Sequence, residues 1–273
     1  MRTLKSSFTL KGNGLMYNKP AIFEVNPSDK KGIRFHINGG TIEADADNVV
    51  STEHFVVLAD VKNGAKTKIA LVEHFMAACA FYGIDALDVN VESEGFETPI
   101  TDGSAKVWAE EFKKTGFLGE PDETKALEAP ILFSTGKSSI VLIPSDKTII
   151  TYAVNFNHPD LRQRWVSVDP ETNADEIIEA RTFGYLKDLE TYQKMGISLG
   201  VNYDNTVGLT DEGYTTDLRS EFEPVKHKML DIIGDLYLSG FNPLKINAKI
   251  IALEAGHGYH LQVARALKRA INS

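Results

Sequence analysis

Alternating apolar and polar positions open the chain. Residues 7–10, 21–25 and 32–37 read as strands, punctuated by Gly12-Asn13-Gly14 and Gly39-Gly40. From Ile69 the period lengthens: Leu71, Val72, Phe75, Met76, Cys79 and Tyr82 fall at helical spacing, and Gly83 supplies the stop. A strand follows on Leu87, Val89 and Val91. Ser104 then offers an N-cap to a second helix that runs to Gly116.

The second half repeats this outline. Strands are expected at 131–133, 139–143 and 148–154. Pro224 then suits the first turn of a helix whose apolar positions are Val225, Met229, Ile232, Ile233, Leu236 and Tyr237. A strand over 246–253 leads into a last helix marked by Leu261, Ala264, Leu267 and Ile271. Each half opens its first helix with Val-x-His, at Val72-Glu73-His74 and Val225-Lys226-His227. The stretch Gly119-Glu120-Pro121-Asp122-Glu123-Thr124 reads as a linker. The organisation expected is therefore two similar α+β domains, residues 1–120 and 125–273, facing each other so that the Val-x-His helices meet. Residues at about 170–205 have no counterpart in the first half. They carry two short helical patterns around Ala180-Arg181-Thr182-Phe183-Gly184 and read as an insertion that shapes a site.

Composition narrows the class. The 273 residues suffice for two such units, and 42% hydrophobic with 25% charged residues supports a buried core, which excludes disordered and collagen-like chains. Acidic residues outnumber basic ones 38 to 29, and the resulting charge of −9 repels polyanions. Nucleic acid is not an expected partner, and a phosphate-bearing ligand needs a local basic group. No apolar run reaches the ~18 residues of a membrane span, and residues 1–10 lack a signal-peptide core, so stable membrane insertion is not expected. The single cysteine, Cys79, lies in an apolar run and makes no internal disulfide. A buried thiol in the reducing cytoplasm is the expectation.

The candidate chemistry lies on the polar stripe of the 225–237 helix. His227 and Asp231 stand four residues apart and project together, and Asp235 extends the stripe by one turn. A His and a carboxylate at this spacing hold a divalent metal if a third ligand joins them and leaves a fourth position open; a solvated helix face is the alternative. His74 is the natural third ligand, and Glu73 beside it is placed to act as general base toward an attacking water. His257 lies in Ala255-Gly256-His257-Gly258, where glycines expose the imidazole or merely form a capping turn. His36, His54, His158 and His260 show no ligand spacing and default to surface or packing roles.

Six segments occur in order: Val72-Glu73-His74, Pro99-Ile100-Thr101-Asp102-Gly103-Ser104, Phe156-Asn157-His158-Pro159, Ala180-Arg181-Thr182-Phe183-Gly184, the run from His227 to Asp235, and Gly256-His257. Together they resemble the zinc-dependent UDP-3-O-acyl-N-acetylglucosamine deacetylase family of lipid A biosynthesis. The resemblance implies two domains in a β-α-α-β sandwich with the active site between them. It implies that His74, His227 and Asp231 hold Zn²⁺, that Glu73 is the general base, and that His257, hydrogen-bonded to Asp235, is the general acid. Thr182 would support the oxyanion, Lys228 would face the substrate's phosphate side, and Phe156 would stack on uracil. Phe183, Leu186, Leu189 and Tyr203 would line an acyl passage, with core packing of the insertion as their alternative. The substrate implied is a UDP-acyl-sugar, and the products are acetate and UDP-3-O-acyl-glucosamine.

The chain departs from the family pattern at Met16, where His is usual, at Leu71, where a hydroxyl residue is common, and at Asn202, where Ser is usual. These positions concern substrate handling and leave open a zinc amidase acting on another N-acyl compound. A non-catalytic sugar-nucleotide or lipid-binding relative is disfavoured, because such a protein has no need of base, acid and three ligands together. Asn202 is expected to narrow or wet the passage and so shorten the preferred acyl chain.

Overall fold

The computed structural model describes residues 1–272. In the first half β1 (Arg2–Leu4), β2 (Phe8–Asn13), β3 (Pro20–Pro27), β4 (Gly32–Ile37) and β5 (Gly40–Glu43) precede three short strands, β6 (Val49–Ser51), β7 (Val57–Ala59) and β8 (Lys68–Ala70). Helix α1 (Glu73–Tyr82), β9 (Ala86–Ser93), α2 (Lys106–Thr115) and β10 (Phe117–Gly119) follow. The second half runs β11 (Lys125–Ala126), β12 (Ile131–Thr135), β13 (Ser138–Pro144), β14 (Ile149–Val154), β15 (Arg164–Val168), α3 (Ala174–Ile178), β16 (Thr182–Tyr185), α4 (Leu186–Lys194), β17 (Thr206–Leu209), α5 (Glu223–Tyr237), β18 (Ile246–Leu253) and α6 (His257–Asn272).

The two halves share a topology. One sheet has the order β2-β3-β9-β4-β5 and the other β12-β13-β18-β14-β15, with β11 added beside β18. In each, the latest strand lies at the centre, antiparallel to one neighbour and parallel to the other: β9 with β3 and β4, β18 with β13 and β14. A parallel neighbour requires a crossover, and the chain makes it through the elements that carry the site. Those are the small β6-β7-β8 sheet with α1 in the first half, and β16-β17 with α5 in the second.

Helix α1 packs on α5, α2 lies beside α1, and α6 lies beside α5 against the second sheet, so two helical layers fill the space between two sheets. The mixed α+β architecture expected from the pattern is present. Residues 73–80 of α1 are all buried, because this helix is covered by its sheet on one side and by α5 on the other. From the sheet, Phe35 meets Phe75 of α1 edge to face and Phe23 meets Trp108 of α2 at a tilt, each pair with ring centroids 5.8 Å apart. Among the described residues no helix is long and apolar enough to cross a membrane.

One local expectation needs correction. The helical period expected from Ile69 starts later: Ile69 belongs to β8 and α1 begins at Glu73. Leu71 adopts φ +64°, a left-handed conformation that breaks the period between strand and helix. The two short helices expected around 180–184 are present as α3 and α4, and between them Thr182 to Tyr185 form a strand paired in parallel with β17.

Candidate active site and metal centre

The crossing of α1 and α5 brings the two Val-x-His segments together. Gly234 permits this approach: a methyl on its Cα would overlap the carbonyl oxygen of Glu73 and stand 2.8 Å from the Glu73 carbonyl carbon. Across that contact His74 and His227 face each other with ring centroids 4.9 Å apart. Asp231 Oδ1 lies 3.4 Å from His227 Nε2 and 3.9 Å from His74 Nε2. All three side chains are buried, and their ligand atoms lie within 4.8 Å of one another.

The chemistry of this donor set fits a divalent cation. Bonds of about 2.0–2.1 Å in a tetrahedral site place ligand atoms about 3.4 Å apart, close to the separations found. His227 Nδ1 stands 2.9 Å from the Ala180 carbonyl oxygen, an N–H donation that leaves Nε2 as the free lone pair. Burial holds both histidines below their ordinary pKa, His74 at about 3, so both imidazoles are neutral and able to ligate. Burial alone would raise Asp231. Lys228 outweighs it, helped by the surrounding histidines, and keeps this carboxyl below the usual range. Lys228 Nζ donates to Asp231 Oδ2 at 2.7 Å, which leaves Oδ1 directed at the histidines.

The proton-transfer candidates flank this cluster. Burial pushes the Glu73 carboxyl up, and the Asp235 and Asp231 charges add to that push against the opposing effect of His257. A cation on the adjacent ligands favours its ionised form. Glu73 Oε1 lies 3.9 Å from His257 Nε2. His257 is the first residue of α6, a position whose helix dipole disfavours a cation. Burial also disfavours the charge. Asp235 overcomes both: its Oδ2 accepts from His257 Nδ1 at 2.7 Å, and the imidazole is raised to about 9.

A cavity of about 600 Å³ opens onto these groups. Glu73, His74, His227, Asp231 and His257 line its inner end, with Lys228 and Thr182. Phe183, Leu186, Leu189, Asn202 and Tyr203 line it further out. Phe156 lies outside that lining, with its ring edge-on to Phe183 at 5.3 Å and to Tyr185 at 6.4 Å. Lys228 reaches the cavity already ion-paired to Asp231. Met16 and Leu71, the two sequence departures in the first half, are both cavity residues.

Comparison with known proteins shows the family. The model of the family LpxC, UDP-3-O-acyl N-acetylglycosamine deacetylase, matches residues 1–269. The chain belongs to this family. It is 34% identical to the UDP-3-O-acyl-N-acetylglucosamine deacetylase of Leptospira biflexa, over 97% of this chain and 89% of the relative. With the enzyme of the same name from Geotalea uraniireducens it shares 34% over 94% of this chain and 84% of that one. With that from Nostoc sp. it shares 31% over 97% of both.

Within this LpxC-family chain one substrate-site expectation changes. Asn202 Oδ1 accepts from the backbone N–H groups of Asp204 at 2.9 Å and Asn205 at 3.1 Å, closing a turn on itself. Its carbonyl oxygen is therefore satisfied, and the desolvation penalty expected against an alkyl chain falls on the side-chain NH2 alone. Sequence reasoning also missed His260, assigned by default to surface or packing. It is fully buried, and its Nδ1 lies 2.7 Å from Asp235 Oδ2. Its three-residue spacing from His257 was the available signal.

Proposed function

We propose that this chain hydrolyses the N-acetyl group of UDP-3-O-acyl-N-acetylglucosamine in lipid A biosynthesis, with Zn²⁺ on His74, His227 and Asp231. One observation carries the reading: a buried carboxylate, Glu73, and a buried imidazole, His257, face each other 3.9 Å apart beside a three-ligand cluster at the inner end of a cavity. Held by these three residues, Zn²⁺ would supply Lewis-acid chemistry, lowering the pKa of water toward about 7 and polarising a carbonyl.

The protein's own groups divide the remaining work. Glu73 takes a proton from the water whose oxygen attacks the acetyl carbon. The Thr182 hydroxyl, at the cavity wall, is the donor toward the developing oxyanion. His257, held protonated by Asp235, gives a proton to the sugar nitrogen as the C–N bond breaks, and acetate and the free amine leave. Phe183, Leu186, Leu189 and Tyr203 supply the apolar wall that an O-acyl chain requires. Phe156 stands close behind Phe183 as the aromatic for uracil. We place the reaction in the cytoplasm, a reading supported by the lone, buried Cys79.

Acetate release by purified protein tests the proposal, with UDP-3-O-acyl-N-acetylglucosamine compared against simple N-acetyl sugars. The expected result is turnover that depends on the nucleotide and the acyl chain, with kcat/KM rising with chain length until the passage is full. Equal release from simple sugars would favour the second reading, a zinc amidase on another N-acyl compound. Met16 and Leu71 in the cavity wall are the observation on its side.

A further inference from the structure

The carboxylate that serves His257 is shared. Asp235 Oδ2 lies 2.7 Å from His257 Nδ1 and also 2.7 Å from His260 Nδ1. The two histidines are three apart at the start of α6 and so present their rings to one side. Asp235 is 1% exposed, and its other oxygen, Oδ1, has no hydrogen-bond partner among the described residues. The orientation of this carboxylate therefore rests on two imidazole N–H groups at one oxygen.

Beyond His260 the chain of contacts turns back on itself. His260 Nε2 lies 3.0 Å from the hydroxyl of Tyr152, on β14. With Nδ1–H given to Asp235, Nε2 is the acceptor of this pair, and the single hydroxyl proton is shared between it and the carbonyl oxygen of Ala255, 2.5 Å away. Ala255 belongs to the turn that delivers His257 to the site. His260 thus touches both supports of the His257 ring: the carboxylate that receives its Nδ1–H, and, through Tyr152, the backbone from which it projects.

We propose that His260 is a positioning residue for His257. It holds Asp235 and the Ala255 turn in the one arrangement that aims His257 Nε2 at Glu73 and the ligand cluster. The inference rests on the role given to His257 above. A metal reading of Asp235, His257 and His260, whose ligand atoms lie within 4.8 Å, fails on geometry. Both nitrogens already stand at hydrogen-bond distance from one oxygen, and an ion would have to displace those bonds. Buried polar groups that share one acceptor are costly to leave half-satisfied, which suits a fixed orientation rather than a mobile one.

The test combines kinetics with imidazole NMR. His260→Leu removes both contacts at similar volume, and His260→Asn keeps a side-chain N–H able to reach Asp235. In His260→Leu, kcat is expected to fall about 10- to 100-fold, the scale of a misplaced catalytic group. KM should stay within about twofold, because His260 does not line the cavity. The His257 Nδ1–H proton resonance should broaden in the same variant. His260→Asn should return both kcat and the resonance to near their starting values. Tyr152→Phe deletes only the hydroxyl, and it should lower kcat at unchanged KM even if His260→Leu fails to fold. Wild-type kcat with an unchanged His257 resonance in His260→Leu or Tyr152→Phe would overturn the proposal, as would a His260→Asn variant no better than His260→Leu. The resonance is read without substrate, so it reports on positioning even if the assigned reaction proves wrong.

Discussion

Gly234→Ala tests the helix contact on which the site is built. In a helix interior, alanine is favoured over glycine by about 1 kcal/mol, so propensity alone makes this substitution stabilising. Packing opposes it. The added methyl would stand 2.8 Å from the Glu73 carbonyl carbon and 3.0 Å from its Cα, and it would overlap the carbonyl oxygen. Carbon atoms sit comfortably at about 3.5–4.0 Å, so α1 and α5 must separate by on the order of 1 Å. The obstacle is backbone, and no rotamer change relieves it. Overpacking of this kind costs about 1–3 kcal/mol, so the net effect is a loss of up to about 2 kcal/mol. The catalytic effect is larger. The separating helices carry Glu73 and His74 on one side and His227 and Asp231 on the other, and a displacement near 1 Å at reacting groups costs about 100-fold. Thermal unfolding by circular dichroism, metal content by elemental analysis and kcat report the three consequences. A variant with unchanged Tm, full metal and wild-type kcat would show that the α1–α5 contact does not set the site.

Three further outcomes follow from the same geometry. Glu73→Gln should retain metal and lose about 10²–10⁴-fold in kcat, since an amide takes no proton from water; equal kcat would assign the base elsewhere. Asp235 raises His257 to about 9, so the protonated acid is present below that pH and activity should fall as pH rises through it. Asp235→Asn removes the cause and should move the basic limb of kcat/KM toward acid, whereas an unmoved limb would assign it to another group. His227→Ala leaves two ligands and should lower the metal bound per chain, with chelation of the wild type abolishing acetate release and Zn²⁺ restoring it; full occupancy in the variant would remove His227 from the ligand set.

The sequence made the sheets and the cluster of His74, His227 and Asp231 legible where the signal was local, and it misled where distant contacts decided. Strands β4 and β18 match their expected bounds because alternation along a half-buried strand is a property of the strand itself. His227 and Asp231 were readable because i, i+4 on a helix is a spatial statement, and His74 followed from the repeated Val-x-His. The shared strand order of the two sheets gives that repeat its physical sense: one arrangement used twice places equivalent helix starts face to face. The start of α1 was not readable. Leu71 is held at positive φ with its N–H bonded to Val56 and its carbonyl oxygen to the Thr98 hydroxyl, both distant in sequence. Thr182 to Tyr185 form a strand only because residues 206–209 lie beside them. His260 shows the same limit at the site. Its spacing from His257 is visible in one dimension, but its function depends on Asp235, 25 residues earlier, and on Tyr152, 108 residues earlier. A histidine one turn from another looks like packing until a carboxylate whose other oxygen has no hydrogen-bond partner among the described residues stands between them, and only the folded chain brings that carboxylate there.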